Sequence, residues 1–132
     1  MNGNVNFLNG IFVDFNENIS CRQGDSGYVT VTGLPTDKDY KLYLAVSVPQ
    51  TREIVGEVTV QTEMQDSVEV GIPSAFTEKI GLGRFYYAIK LVDGEDEYTV
   101  VPKAYTDKNG EVAIANPPIF LVKRKLSEGG EA

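Results

Sequence analysis

The stretch GRFYYAIKL, at positions 83–91, alternates between apolar and more polar or smaller side chains. Successive side chains of a β-strand point to opposite faces of a sheet, so a period of two predicts a strand. This alternation puts four large side chains on one face: Phe85, Tyr87, Ile89 and Leu91. No set of residues typical of a catalytic site lies next to these four positions in the sequence. The stretch therefore predicts a core strand and not part of an active site.

The same alternation recurs along most of the chain. It runs through GYVTVTG (27–33), the stretch 40–48, EIVGEVTVQT (53–62), the stretch 68–72, EYTVV (97–101), EVAIA (111–115) and PIFLVKR (118–124). Turn-forming sequences separate these runs, among them GLPTDKD (33–39), Asp93-Gly94 and Asn109-Gly110. Many short strands with frequent turns are typical of an all-β, antiparallel β-sandwich or barrel.

The alternating runs also predict which side chains form the core between the sheets. In the stretch 53–62, Ile54, Val58 and Val60 share one parity and are expected on the same face. The predicted core comprises Leu42, Leu44, Val58, Val60, Phe85, Tyr87 and Ile89.

One segment, PSAFTEKIGLG (73–83), breaks the alternation. Pro73 and Ser74 can start a helix, and Phe76 and Ile80 lie four residues apart, on one helical face. Gly81 can end the helix in a left-handed conformation. The segment predicts a single helical turn at about residues 74–80 that crosses from one sheet to the other.

Length and composition indicate one folded domain. The 132 residues are predicted to form a single β-sandwich over residues 1–126, with a polar N-terminal arm (MNGNVNFLNG) and a flexible tail at 127–132 (SEGGEA).

Cys21 is the only cysteine of the sequence, so no disulfide can form within the chain. The N-terminus lacks the pattern of a signal peptide, and no apolar run approaches the roughly 18 residues that span a bilayer. We expect synthesis in the cytoplasm and no association with a membrane.

The charged residues argue against nucleic-acid binding and against catalysis. Nineteen acids against 12 bases give a net charge of −7, the opposite of what phosphate binding needs. The chain contains no His, the commonest general base and metal ligand, so we predict no catalytic, cofactor or metal site. The acidic stretches 93–97 and 107–111 are interpreted as hairpin tips. A glycosidase-like enzyme that uses two of the acids remains the least favoured alternative.

Three tyrosines fall on strand faces opposite to the apolar sets: Tyr28, Tyr43 and Tyr86. Exposed aromatic side chains can hold a sugar or a peptide, and Tyr is also enriched where protein subunits meet. We predict that these residues mark an interface or ligand face, and we favour a protein contact over a ligand.

The positions Gly83, Phe85, Tyr87 and Ile89 are similar to the F-strand pattern of immunoglobulin-like domains, G-x-Y-x-C-x-hydrophobic. Two positions depart from that pattern. Phe85 has no hydroxyl, so the hydrogen bond of the tyrosine corner cannot form, and Tyr87 takes the place of the disulfide Cys.

A closer resemblance covers residues 21–101. It begins with R-x-G-D-S at 22–26 and continues with I-P-x-x-x-T-x-x-I-x-x-G-x-F-x-Y-x-I-x-L at 72–91, followed by a D-G hairpin. These motifs resemble the N-terminal immunoglobulin-like domain of phage baseplate upper proteins and related siphophage tail and virion proteins. Residues 101–118 and the Asn-rich first ten residues depart from that pattern.

The resemblance implies an immunoglobulin-like β-sandwich without catalytic residues. It also implies a structural protein of the virion, at the tail, the baseplate or the capsid surface, made in the host cytoplasm. Its expected partners are other virion proteins and copies of itself. The alternative is a carbohydrate-binding or host-adhesion module that holds a host-surface glycan with Tyr43 and Tyr86.

Overall fold

The computed structural model describes residues 9–102, 104–106, 108–114 and 116–124. The predicted tail at 127–132 and most of the predicted N-terminal arm lie outside these ranges. The described residues form eleven strands and one helix: β1 (Phe12–Val13), β2 (Ile19–Arg22), β3 (Gly27–Thr32), β4 (Lys41–Ser47), β5 (Ile54–Gln61), β6 (Ser67–Ile72), α1 (Ser74–Ile80), β7 (Gly83–Asp93), β8 (Asp96–Val101), β9 (Ala104–Thr106), β10 (Val112–Ile114) and β11 (Ile119–Lys123).

The strands form two packed layers, which confirms the predicted all-β sandwich. The large sheet has the order β1-β2-β11-β7-β4-β5, the small sheet is the pair β3–β6, and β9 and β10 form a separate hairpin. One edge of the long strand β7 pairs with β4, and the other edge pairs first with β11 and then with β8. The arrangement is consistent with an immunoglobulin-like fold. Pairing among the described strands is mainly antiparallel, as predicted, and the pair of β2 with β11 is parallel.

The core lies between the two layers and centres on Phe120. This ring is fully buried and makes edge-to-face contacts with Phe76 and Tyr87, at centroid distances of 6.1 Å and 6.3 Å. Of the predicted core, four side chains are buried: Leu42, Leu44, Tyr87 and Ile89. The other three are only partly buried and pack against the core: Val58, Val60 and Phe85. For Val58 and Val60 the reason is position, because β5 is an edge strand of the large sheet.

Ile54 lies on the opposite face from the one predicted. The pairing of β4 with β5 shifts register between Val46 and Ser47, so that Val46 pairs with Gly56 but Ser47 pairs with Ile54. The irregularity leaves Val55 as an extra residue in β5. The side chain of Ile54 therefore points to the face opposite to the one that simple alternation predicts. Ile54 is therefore 57% exposed on the outer face.

The helix α1 matches the predicted helical turn, and Phe76 and Ile80 are both buried. Phe76 lies directly over Gly56 of β5, where an added Cβ would come within 2.8 Å of the ring. Gly81 ends the helix with a positive φ, as predicted. Its φ of 87° is combined with an extended ψ of 178°, a region open almost only to glycine.

Thr77 of α1 connects the two motifs that carry the closer resemblance. Its side chain is fully buried, and its Oγ1 accepts a hydrogen bond from the backbone N–H of Gly24 at 2.9 Å. The hydroxyl lies within donating distance of the carbonyl oxygens of Asp25 (2.9 Å) and Ser74 (3.1 Å). The R-x-G-D-S turn is therefore fastened to the helix, which gives both motifs a structural role.

We expect Thr77→Val to lower the free energy of unfolding by about 1–3 kcal/mol, because it leaves the partly buried N–H of Gly24 without its acceptor. Thr77→Ser keeps the hydroxyl and should retain more of the stability. Urea unfolding of the three proteins checks this expectation. A larger loss with Ser than with Val would show that packing of the methyl group, which Val keeps and Ser lacks, matters more than the hydrogen bonds.

Candidate functional site

The outer face of the large sheet, which we call the front face, faces away from the core. Near its middle Ala45 of β4 lies opposite Ala88 of β7, and these small side chains leave a shallow floor. Tyr43 lies two residues along β4 in one direction, and Tyr86, which pairs with Ser47, lies in the other. A depression of about 450 Å³ covers this floor and is lined by Tyr43, Ala45, Ser47, Arg52, Ile54, Glu57, Ala88, Lys90, Val92 and Glu97.

Tyr43 and Tyr86 are half-buried on this face, with Cα atoms about 14 Å apart by strand geometry. The guanidinium of Arg52 lies over the Tyr86 ring, 5.0 Å from its centroid, a cation–π contact that orders both side chains. Tyr28 lies on the small sheet, where it pairs with Gly71. The structure therefore brings two of the three predicted tyrosines to one face and places the third on the other layer.

A second depression, of about 280 Å³, extends the front face toward β1. Here Ile119 pairs with Tyr86, and Leu121 pairs with Arg84, so both apolar side chains point outward beside the tyrosine. Phe12 at the edge is 66% exposed. Apolar and aromatic side chains therefore form a strip on this face, which Ser20 of β2 interrupts between Phe12 and Leu121. Its members lie on five of the six strands from β1 to β5 and are Phe12, Ile54, Tyr43, Ala45, Tyr86, Ala88, Ile119 and Leu121.

The charge of the front face is opposite in sign to that of the chain. Six exposed basic side chains lie on or beside it: Arg22, Lys41, Arg52, Arg84, Lys90 and Lys123. Three exposed acids accompany them: Asp14, Glu57 and Glu97. The face carries +3 in a chain of −7, so the remainder carries −10. Sequence reasoning missed this patch because the basic residues are scattered along the chain and meet only through strand register.

The acids of this face are poorly arranged for glycoside hydrolysis. Glu57 and Glu97 line the same depression, but three strand steps and about four residues along the strands separate them. Their Cα atoms are therefore about 20 Å apart, so only fully extended side chains directed at each other would bring the carboxyl groups to the upper end of the roughly 5–10 Å that separates a catalytic pair. Glu97 is also 3.4 Å from the ammonium of Lys90.

The acidic stretch 93–97 forms the tight turn between β7 and β8, as predicted, and Asp93 pairs with Lys38. Asn109 and Gly110 form the predicted turn between β9 and β10. Within the described ranges, no group of three or more Cys, Asp or Glu side chains could hold a metal ion. In the same part of the chain, no helix is long and apolar enough to cross a membrane.

A cleft of about 500 Å³ runs along the edge of β3, between the two layers. About half of its lining residues belong to the core, including Val29, Val31 and Ile89. The hydroxyl of Tyr87 donates to the backbone carbonyl of Glu17, and burial raises the pKa of this phenol. Through this hydrogen bond Tyr87 connects the turn between β1 and β2 to the core, a role that was not predicted from the sequence.

Cys21 is unsuited to nucleophilic chemistry. The side chain is buried in the core, and this burial, with a smaller effect from the charge of Asp25, raises the pKa of the thiol to about 11. Because the thiolate is the reactive form, the sulfur is inert at neutral pH.

No protein-family model, curated protein or solved structure matches the chain.

Proposed function

We propose that this chain is a non-catalytic binding and assembly module that contacts other proteins through its front face. One observation carries the proposal. A single sheet face gathers Tyr43, Tyr86, an apolar strip with members on five strands and six of the twelve basic residues of the chain. Tyr and Arg are the residues that most often dominate the binding energy of protein interfaces.

The geometry of the face favours a protein partner. The two tyrosines are half-buried, so a partner can cover them at little further cost in side-chain freedom. Arg52 is already held on the Tyr86 ring and presents its charge beside the apolar strip. An apolar centre with charged side chains around it is the usual anatomy of a protein interface.

The resemblance over residues 21–101 supports a more specific role as a structural protein of a phage virion, at the tail, the baseplate or the capsid surface. In that setting the partners are other virion proteins and copies of the same chain. Many copies in a symmetric assembly allow individually weak contacts to add.

The depression beside Tyr43 supports the alternative function, binding of a host-surface glycan. It combines an aromatic side chain with polar groups from Arg52, Glu57 and Lys90, which are the elements of a sugar site. A glycosidase-like enzyme has less support, because Glu57 and Glu97 are too far apart.

The test compares the double variant Tyr43→Ala/Tyr86→Ala with Tyr28→Ala, a matched tyrosine on the small sheet. Individually purified tail, baseplate and capsid proteins are the candidate partners, and affinity is measured against each. We expect the double variant to lose about thirtyfold in affinity, the effect of removing about 2 kcal/mol at a hot spot, and Tyr28→Ala to lose far less.

A glycan array with the same proteins separates the two functions. Glycan binding by the monomer that the double variant abolishes would favour adhesion over assembly. If neither Tyr43→Ala/Tyr86→Ala nor Tyr28→Ala changes protein binding, and urea unfolding shows each variant to be folded, the role of the front face is contradicted.

A further inference from the structure

We propose that the front face of one copy docks on the outer face of the small sheet of a second copy, in a head-to-tail contact. This inference rests on the proposed function and names the partner for the front face. It follows from the distribution of charge over the two outer faces of the sandwich.

The outer face of the small sheet, which we call the back face, is acidic. Its outward strand residues are Tyr28, Thr30, Thr32, Ser67, Glu69 and Gly71. The segments that form and flank it, 24–36 and 62–72, contain no Lys or Arg. They contain four exposed acids: Asp25, Glu63, Asp66 and Glu69.

The opposite signs of the two faces select the orientation of the contact. Two front faces brought together would each present a net charge of +3, and two back faces would bring acids against acids. Like charges that face each other across an interface are costly, whereas a basic face on an acidic one is attractive. Front-to-back contact also places Tyr28 of one copy against the surface that carries Tyr43 and Tyr86 of the next.

A head-to-tail contact leaves one front face and one back face free on every pair, so it can propagate into a ring or a filament. The contact must be weak for an isolated pair. The back face is a two-stranded patch of about 20 Å by 10 Å. Its area, about 200 Å², is well below the roughly 800 Å² that each partner contributes to a stable interface. We therefore expect a monomer in dilute solution and association that grows with concentration and falls with added salt.

Sedimentation velocity over a range of concentrations, at low and at high salt, tests the contact in the full chain. The front variant is Lys41→Glu/Arg84→Glu, and the back variant is Asp66→Asn/Glu69→Gln. Lys108→Glu, in the exposed turn between β9 and β10, is the control. Urea unfolding of each variant establishes that it is folded.

We expect the wild-type protein and the control to associate alike, and each double variant to associate at least about tenfold more weakly. The decisive sample is an equimolar mixture of the front and back variants. In this mixture, the intact front face of the back variant can dock on the intact back face of the front variant. No other pair of intact faces is present. It should form dimers that grow no further.

Two results would overturn the inference. One is a wild-type protein that stays monomeric at every concentration and salt. The other is a back variant that still dimerises as the wild type does, which would show a front-to-front contact. If either result occurs while Tyr43→Ala/Tyr86→Ala still loses binding to a different virion protein, the inference fails but the proposed function stands.

Discussion

Replacing Phe120 with Ala is expected to lower the free energy of unfolding by about 3–5 kcal/mol. Phe120 has no exposed surface, and its ring makes edge-to-face contacts with Phe76 from the helix and with Tyr87 from β7. Truncation leaves a cavity where α1 and the large sheet come together. It removes both the burial of the ring and its edge-to-face contacts. Urea unfolding of the wild type and the variant measures the loss.

Leu121→Ala is the matched control, because Leu121 is the next residue along β11 and points to the front face. A half-buried side chain on that face should cost about 1 kcal/mol or less. If Phe120→Ala costs no more than Leu121→Ala, then the two faces of β11 are assigned the wrong way round.

The second large effect is expected at Leu44, where Leu44→Ala should cost about 2–5 kcal/mol. Leu44 is 0% exposed and lies in the centre of the large sheet, in register with Val58 on one side and Ile89 on the other. Neighbouring strands hold the backbone on both sides, so the site cannot collapse easily around the smaller side chain. Thermal or urea unfolding gives the difference directly.

Ile54→Ala is an informative control for Leu44→Ala, since simple alternation predicts that both side chains face the core. The register shift beside Ser47 puts Ile54 on the front face, 57% exposed. Its truncation should therefore change stability by less than about 1 kcal/mol. A loss as large as that of Leu44→Ala would mean that β5 continues without the irregularity.

The local patterns of the sequence were sufficient for eight of the eleven described strands, for the helix and for part of the core, whereas β1, β2 and β9 were not predicted. Alternation with a period of two is a property of a single strand, so the inward direction of Leu42, Leu44 and Ile89 could be predicted without knowing their partners. The spacing of Phe76 and Ile80 predicted α1 for the same reason. Tyr43 and Tyr86 were predicted to point away from the core by the same alternation.

Pairing between distant strands decided the rest. The irregularity that reverses Ile54 depends on how β5 meets β4, and the parallel pairing of β2 with β11 joins residues about a hundred positions apart. The partly buried hydrogen bonds of Thr77 join two motifs more than fifty residues apart. No periodicity within one segment carries this information.

The candidate site shows the same division. The sequence by itself determined that Tyr28, Tyr43 and Tyr86 point outward, because the direction of a side chain follows from strand parity. Only the tertiary structure decided that Tyr43 and Tyr86 share a face while Tyr28 lies on the other layer. It also assembled a basic face in an acidic chain, because the sign of a surface depends on which strands lie side by side. That order is fixed by hydrogen bonds and packing between segments far apart in the sequence.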